Sequence, residues 1–183
     1  MDAVDRLLAS TRELLWERGY VGTSPKAIQQ RSGVGQGSMY HHFAGKSDLA
    51  LAAIAQSGAE LRVSAATLLN KPGSARGRIT AYLQREREVL KGCPIGRLTQ
   101  DPDVLADETL RRPVDETLGW VRGRLAEILA EGKESGEFAA DLDPIAVAAT
   151  LLAVLQGGYV LARAANSTEP YEQAIKGALS LLR

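Results

Sequence analysis

The strongest constraint on the fold is the recurrence of aliphatic residues at intervals of three and four. Val114, Leu118, Val121, Leu125, Ile128 and Leu129 repeat along one side of a 3.6-residue helix. Val4, Leu7, Leu8, Leu14 and Leu15 do the same near the start, and Leu51, Ile54, Gly58, Leu61, Ala65 and Leu68 do so further on. Val, Ile and Thr nowhere alternate with polar residues, and aromatics make up only 5% of the chain, which disfavours a β-sandwich or barrel. Hydrophobic residues, at 45% of 183, are ample for a core. The expected fold class is all-α.

Gly and Pro divide these stripes into about nine helices. The first ends at Gly19, with Arg18 in its last turn. Thr23-Ser24-Pro25 reads as an N-cap followed by proline at the first helical position. That helix turns Ala27 and Ile28 inward and stops near Ser32-Gly33. A second short helix spans Gln36 to Phe43, and a long one runs from Lys46-Ser47 to about Asn70. Ile79, Tyr82, Leu83 and Leu90 predict a helix ending at Gly92. Asp101-Pro102 then interrupts a short helical region that reaches Arg111. The strongly periodic helix closes through Gly132 and Gly136. Asp143-Pro144 caps a helix that is apolar on nearly every side to Leu155 and is expected to be buried all round, in a bundle or between subunits. The last helix starts at Ser167 or Thr168, with Ile175, Ala178, Leu179 and Leu182 inward. The organisation is a head of residues 1–46 and a body of residues 47–183.

Charge is balanced, with 22 Lys and Arg against 22 Asp and Glu, but it is unevenly spread. From Arg18 through Ser47 there is no acidic residue, while Arg18, Lys26, Arg31, Lys46, His41 and His42 fall there. A local positive field on a neutral body suits an anionic partner such as DNA phosphate; a solvated basic face is the plain alternative. Two short helices around Ser32-Gly33-Val34 have the layout of a helix-turn-helix, whose turn needs a glycine for positive φ. The second of them offers Gln36, Gly37, Ser38, Tyr40 and His41, small or polar enough to approach a groove. Packing of a three-helix head gives the same spacing, so both readings stand on spacing alone.

Gly19-Tyr20, Thr23-Ser24, Ile28, Gly33-Val34, the run from Ser38 to Phe43 and Lys46-Ser47-Asp48-Leu49 resemble the amino-terminal signature of TetR-type transcriptional regulators. The match is close over the first quarter of the chain and extends loosely through helix number and order. Gly92-Cys93-Pro94-Ile95-Gly96 is similar to a turn in one branch of that family, the LmrA/YxaF-like regulators. The resemblance implies a cytoplasmic homodimer, most often a repressor, that reads a palindromic double-stranded DNA operator and is released by a small-molecule effector. It implies that Gln36 and Ser38 read base edges with Gly37 between them. It further implies that Tyr40 and His42 contact phosphate or base, that Lys46 opens the connecting helix, and that Thr23 or Ser24 contacts the DNA backbone; Lys26 and His41 complete the set. Gln36 has the chemistry for a bidentate contact to adenine. Two features depart from the pattern. Asp2 and Asp5 stand where some relatives carry a basic arm, so no minor-groove arm is expected. Gly35 stands where a capping or acidic side chain is common.

Other chemistries find little support. Gly33, Gly35 and Gly37 alternate as in a phosphate loop, but no strand precedes them and no Gly-Lys-Ser/Thr follows. His41 and His42 have no nearby carboxylate to complete a metal site. With both histidines in the head and Cys93 in the body, no catalytic set can be assembled, and neither enzyme activity nor a cofactor is expected. Cys93, the lone cysteine, is open to a buried structural role, a pocket role or redox sensing. Tyr82, Cys93, Trp120 and Tyr159 are candidates for an effector pocket, whose ligand would be apolar or aromatic; for Tyr82 and Trp120 a core role is equally open, and Phe138 belongs to the same choice. Leu151, Leu155, Gly158, Ile175 and Leu179 are candidates for the dimer interface. Glu134, Glu137, Asp141 and Asp143 read as a solvated loop. The longest apolar stretch, Ile145 to Leu155, is short of a membrane span, so no membrane partner is expected. A helical protein that sequesters a small molecule without reading DNA is the alternative function.

Overall fold

A computed structural model describes residues 2–182. Nine α-helices and one 3₁₀ turn account for the regular structure, and no strand occurs among the described residues. In order they are α1 (Ala3–Arg18), α2 (Pro25–Ser32), α3 (Gln36–His42), α4 (Lys46–Leu69), α5 (Ala75–Gln84), the 3₁₀ turn (Gly96–Gln100), α6 (Pro102–Ala106), α7 (Glu108–Glu134), α8 (Pro144–Ala165) and α9 (Glu169–Leu181). The chain divides into two compact units. One runs up to Glu60 and adds Cys93–Thr117; the other joins Leu61–Gly92 to the residues from Leu118 onward. α4 and α7 each contribute to both.

In the first unit, the α1 stripe meets α2 and α3 around Leu7, Leu14, Ile28, Val34, Met39 and Leu49, with Ala3, Leu8, Ala27 and Phe43 packed at the margin. Asp2 and Asp5 have a local task. Asp2 accepts from the Asp5 amide at 2.8 Å and donates its own amide back to Asp5 at 3.2 Å, a capping box that starts α1. Arg12 on α1 donates to Ser57 at 3.0 Å and forms a bidentate pair with Glu60 on α4. α4 and α7 approach closely where Gly58 faces Thr117: a Cβ there would lie 2.4 Å from the Thr117 hydroxyl oxygen.

In the second unit, Glu137 lies over the start of α5 and accepts from the amides of Ala75 at 3.0 Å and Arg76 at 3.1 Å. These two backbone donors hold its carboxyl below the usual carboxylate range. Asp143 accepts from Ile145 and Ala146 and caps α8. Two of the four acidic residues expected to sit in a solvated loop thus cap helices. α8 and α9 pack along Ala148, Leu151, Leu155, Gly158, Tyr159 and Ala162 on one side and Tyr171, Ile175 and Ala178 on the other.

One expectation changes and two gain detail. α5 ends at Gln84 rather than Gly92 because Arg85 turns to extended backbone and the Arg87 guanidinium takes up the last carbonyls, Tyr82 O at 2.6 Å and Leu83 O at 2.9 Å. Asp101 does break the short helical region, closing the 3₁₀ turn, and it also starts the next helix, α6, by accepting from the amides of Asp103 and Val104. α8 is not buried all round within its chain. By length and composition alone it could cross a bilayer, a test that core helices of water-soluble proteins also pass, and it leaves Ile145, Val160 and Leu161 exposed.

Asp101 is only 7% exposed, and its other carboxylate oxygen accepts from Tyr20 at 2.7 Å and Val21 at 2.9 Å, in the turn that leads into α2. Gly19 gives it room, with φ +74° and an added Cβ only 2.8 Å from that oxygen. Replacing the carboxylate leaves two partly buried amides without a partner and removes the α6 cap. Asp101→Ala is therefore expected to lower unfolding free energy by about 1–3 kcal/mol, read as a lower urea midpoint. A change within about 0.5 kcal/mol would contradict the role given to this carboxylate.

Candidate nucleic-acid interface

The helix-turn-helix is assembled by short-range rules. Ser24 accepts from the Ala27 amide at 3.2 Å, and Pro25 occupies the first turn of α2, where a missing N–H costs nothing. Gly33 ends the helix in the left-handed region, φ 66° and ψ 20°, and its amide bonds to Gln29 O at 2.9 Å. The Ser32 hydroxyl then accepts from Val34 at 3.2 Å, which fixes the turn while Val34 goes into the core.

α3 begins at Gly35 without any side-chain cap. It is anchored by Met39, which is wholly buried and whose sulfur accepts from Gln29 at 3.8 Å. Around that anchor Gln36, Gly37, Ser38, Tyr40, His41 and His42 are all exposed. A Cβ added at Gly35 or Gly37 would meet nothing within 4 Å, so the backbone itself faces open space. The rings of His41 and His42 meet edge to face with centroids 5.0 Å apart. Among the described residues no group of three His, Cys, Asp or Glu side chains is placed to hold a metal.

The flanking groups are more varied than the sequence suggested. Lys26 and Ser24 are exposed. Thr23 is 1% exposed, and its hydroxyl donates to Gly19 O at 2.7 Å, so it shapes the approach to α2 rather than facing solvent. Lys46 is half-buried with Nζ 3.8 Å from the centre of the Tyr20 ring. Burial pushes its pKa down, against an upward pull from Asp101 and Asp103. Arg31 pairs with Glu17 at 2.8 Å, which takes one cation of the acid-free stretch out of play.

The remaining candidates divide between the units. Cys93 is buried in the first, where its sulfur accepts from the Gly96 amide at 3.2 Å. Tyr82 and Tyr159 are buried and Trp120 half-buried in the second. Phe138 is a core residue, packed where a Cβ on Gly132 would touch it. Leu151, Leu155, Gly158 and Ile175 lie inside the α8–α9 pair and Leu179 is half-buried, so a single chain already covers most of that set. The apolar surface left open on these helices is instead Ile145, Val160, Leu161 and Leu181. Asp101 and Arg87 carry structure or charge that periodicity does not signal, and only the Asp-Pro pair at 101–102, a cap-then-proline pattern, could have pointed to the first; Tyr171 was within reach, since it stands four residues before Ile175 on the α9 stripe.

Residues 7–53 match the bacterial regulatory proteins of the tetR family, and residues 75–178 match the tetracyclin repressor-like C-terminal domain. Neither match identifies the LmrA/YxaF-like branch. The chain is similar to the HTH-type transcriptional repressor NemR of Escherichia coli K12, 26% identical over 181 residues that cover 95% of this chain and 90% of that one. The solved structure of reduced E. coli NemR has a TM-score of 0.87 at 26% identity, covering 100% of this chain and 98% of that one. The TetR-family regulator CifR, solved as a cysteine mutant with 26-bp double-strand operator DNA, shares the fold with a TM-score of 0.82 at 23% identity, covering 98% and 96% of the two chains.

Gly37 separates stability from surface complementarity. In Gly37→Ala the new methyl points into open space and replaces a poor helix former, so stability should hold or rise by up to about 1 kcal/mol. Binding to a specific DNA site should nevertheless fall, because the methyl occupies the face offered to the groove. Thermal melting and gel shift on the same preparation check both, and unchanged DNA affinity would contradict the assignment of this face.

Proposed function

Since the chain belongs to the TetR family of transcriptional regulators, whose members are not enzymes, we propose that it is a cytoplasmic repressor that binds a palindromic operator as a homodimer and leaves it when a small-molecule effector binds. The observation that carries this reading is the exposed face of α3: six groove-compatible residues around one buried methionine, in a stretch of chain without a carboxylate. Gln36 presents a donor and an acceptor for an adenine edge, a contact that discriminates by about 1–3 kcal/mol. Ser38, Tyr40, His41 and His42 supply further donors, while Ser24, Lys26 and Lys46 supply backbone-directed hydroxyl and charge. These groups position the helix on phosphate, and the base-edge contacts specify the site.

Homodimerisation is supported by Ile145, Val160, Leu161 and Leu181, which one chain leaves uncovered on α8 and α9. A two-fold dimer places two α3 helices on half-sites about 34–36 Å apart or a multiple of that spacing. Effector binding is supported by the aromatic set of the second unit, Tyr82, Trp120 and Tyr159, which suits an apolar or aromatic ligand. Release requires a ligand that binds better to the arrangement unfit for the operator; a coupling of about 1–3 kcal/mol suffices. Two features support a route to the head. α4 and α7 each run through both units, and within the first unit Asp101 ties the turn at Tyr20-Val21 to the start of α6.

Gln36→Ala tests base reading and Lys46→Ala tests phosphate contact. The first is expected to relax preference at one base pair with little change in non-specific affinity. The second should weaken binding to all sequences and reduce the slope of log K against log salt by about one. Competition gel shifts with single-base operator variants at three salt concentrations read both effects. Specific binding that survives both substitutions would place DNA recognition elsewhere, and no sequence preference with both residues intact would leave a chain that only binds its ligand.

A further inference from the structure

The second unit buries a hydroxyl that no hydrogen bond of normal geometry satisfies. Tyr171, at the start of α9, is 5% exposed, and its Oη has no hydrogen-bond partner. Its ring stacks at a tilt on Tyr159, with centroids 5.1 Å apart, and fits against Gly158, where a Cβ would come within 2.9 Å of it. An orphan hydroxyl of this kind is unfavourable in an apolar interior, and native proteins rarely keep one without a use.

Positive charge converges on the same place. The guanidinium carbons of Arg85 and Arg87 each lie 5.2 Å from the centre of the Tyr82 ring. Arg87 spends its terminal nitrogens on the carbonyls of Tyr82, Leu83 and Arg85, and its Nε is buried with no partner. No carboxylate among the described residues pairs with Arg87. Burial pushes the Tyr171 hydroxyl above its usual value, and the charges of Arg87 and Arg85 pull it down again, which places both arginines within electrostatic reach of that oxygen. Tyr159 and Arg87 approach it without completing a bond of normal geometry.

We propose that Tyr171 Oη and Arg87 Nε, with Arg85 supplying further positive charge, bind the carboxylate of a small organic acid whose apolar part lies among Tyr82, Tyr159 and Tyr171. A carboxylate accepts from both free donors at once and compensates a positive cluster placed among aromatic rings. Three tyrosine rings suit an organic body better than a bare inorganic anion, which sets a carboxylic acid above phosphate. The proposal deepens the reading of this unit as the effector-binding half by adding an anionic group to an apolar or aromatic ligand.

Sodium benzoate is the probe, titrated calorimetrically into the full chain without DNA, with benzamide as neutral isostere and inorganic phosphate as bare anion. Benzoate is expected to bind at least tenfold more tightly than either. Tyr171→Phe removes only the unpaired oxygen, so its melting temperature should stay level or rise while benzoate affinity falls at least tenfold. Arg85→Gln should weaken benzoate and leave benzamide unchanged. Equal binding of benzamide, preference for phosphate, absence of benzoate binding, or undiminished binding by Tyr171→Phe would each overturn the proposal. Because no DNA is present, a chain that binds benzoate but no operator supports this site while refuting the repressor reading.

Discussion

A single buried carboxylate holds together the part of the molecule that would read DNA. Asp101 accepts from two amides in the turn before α2 with one oxygen and caps α6 with the other. Residues some 80 positions apart in sequence are thereby fixed in one compact unit. The bonds are charge-assisted and mostly shielded from water, so they outweigh any surface ion pair in the same unit. Gly19 provides the space, Tyr20 carries the amide and offers its ring to Lys46, and Asp103 adds its field to that lysine.

The second unit solves a related problem with opposite charge. α5 stops early because the Arg87 guanidinium occupies its final carbonyls, and ending the helix in this way leaves a cation among tyrosines. A side chain recruited for helix capping thereby supplies the charge that the proposed carboxylate ligand would meet. Glu137 performs the mirror task at the other end of the same helix, with its carboxylate on the first amides. One device is local and the other reaches across about sixty residues, and they act at the two ends of α5.

How much of this the sequence revealed depended on the range of the interaction. Helices fixed by neighbours were legible: Ser24-Pro25 started α2, Gly33 ended it, and the stripe from Val114 to Leu129 fell on α7. The exposed residues of α3 were legible for the same reason, since one buried Met39 in seven residues determines which sides face out. What escaped were contacts between distant segments, and one short-range stop that breaks the apolar rhythm. The end of α5 was misplaced because Leu90 continues the apolar rhythm while the stop signal is an arginine reaching back. α8 is apolar enough to be covered on all sides, in a bundle or between subunits, and composition cannot show which side its own chain leaves open. Asp101 carries no periodic signal, and Tyr171 falls on the α9 stripe four residues before Ile175 without any sign of the arginines near it; the importance of both comes from who faces them in space.

The central claim, that α3 reads a two-fold DNA site, is tested most directly by selecting bound fragments from the source genome and titrating the recovered sequence across salt concentrations. The account predicts an inverted repeat with half-sites about one helical turn or a multiple apart, bound with an affinity that falls steeply as salt rises. Recovery of unrelated fragments bound weakly and without sequence preference would contradict it.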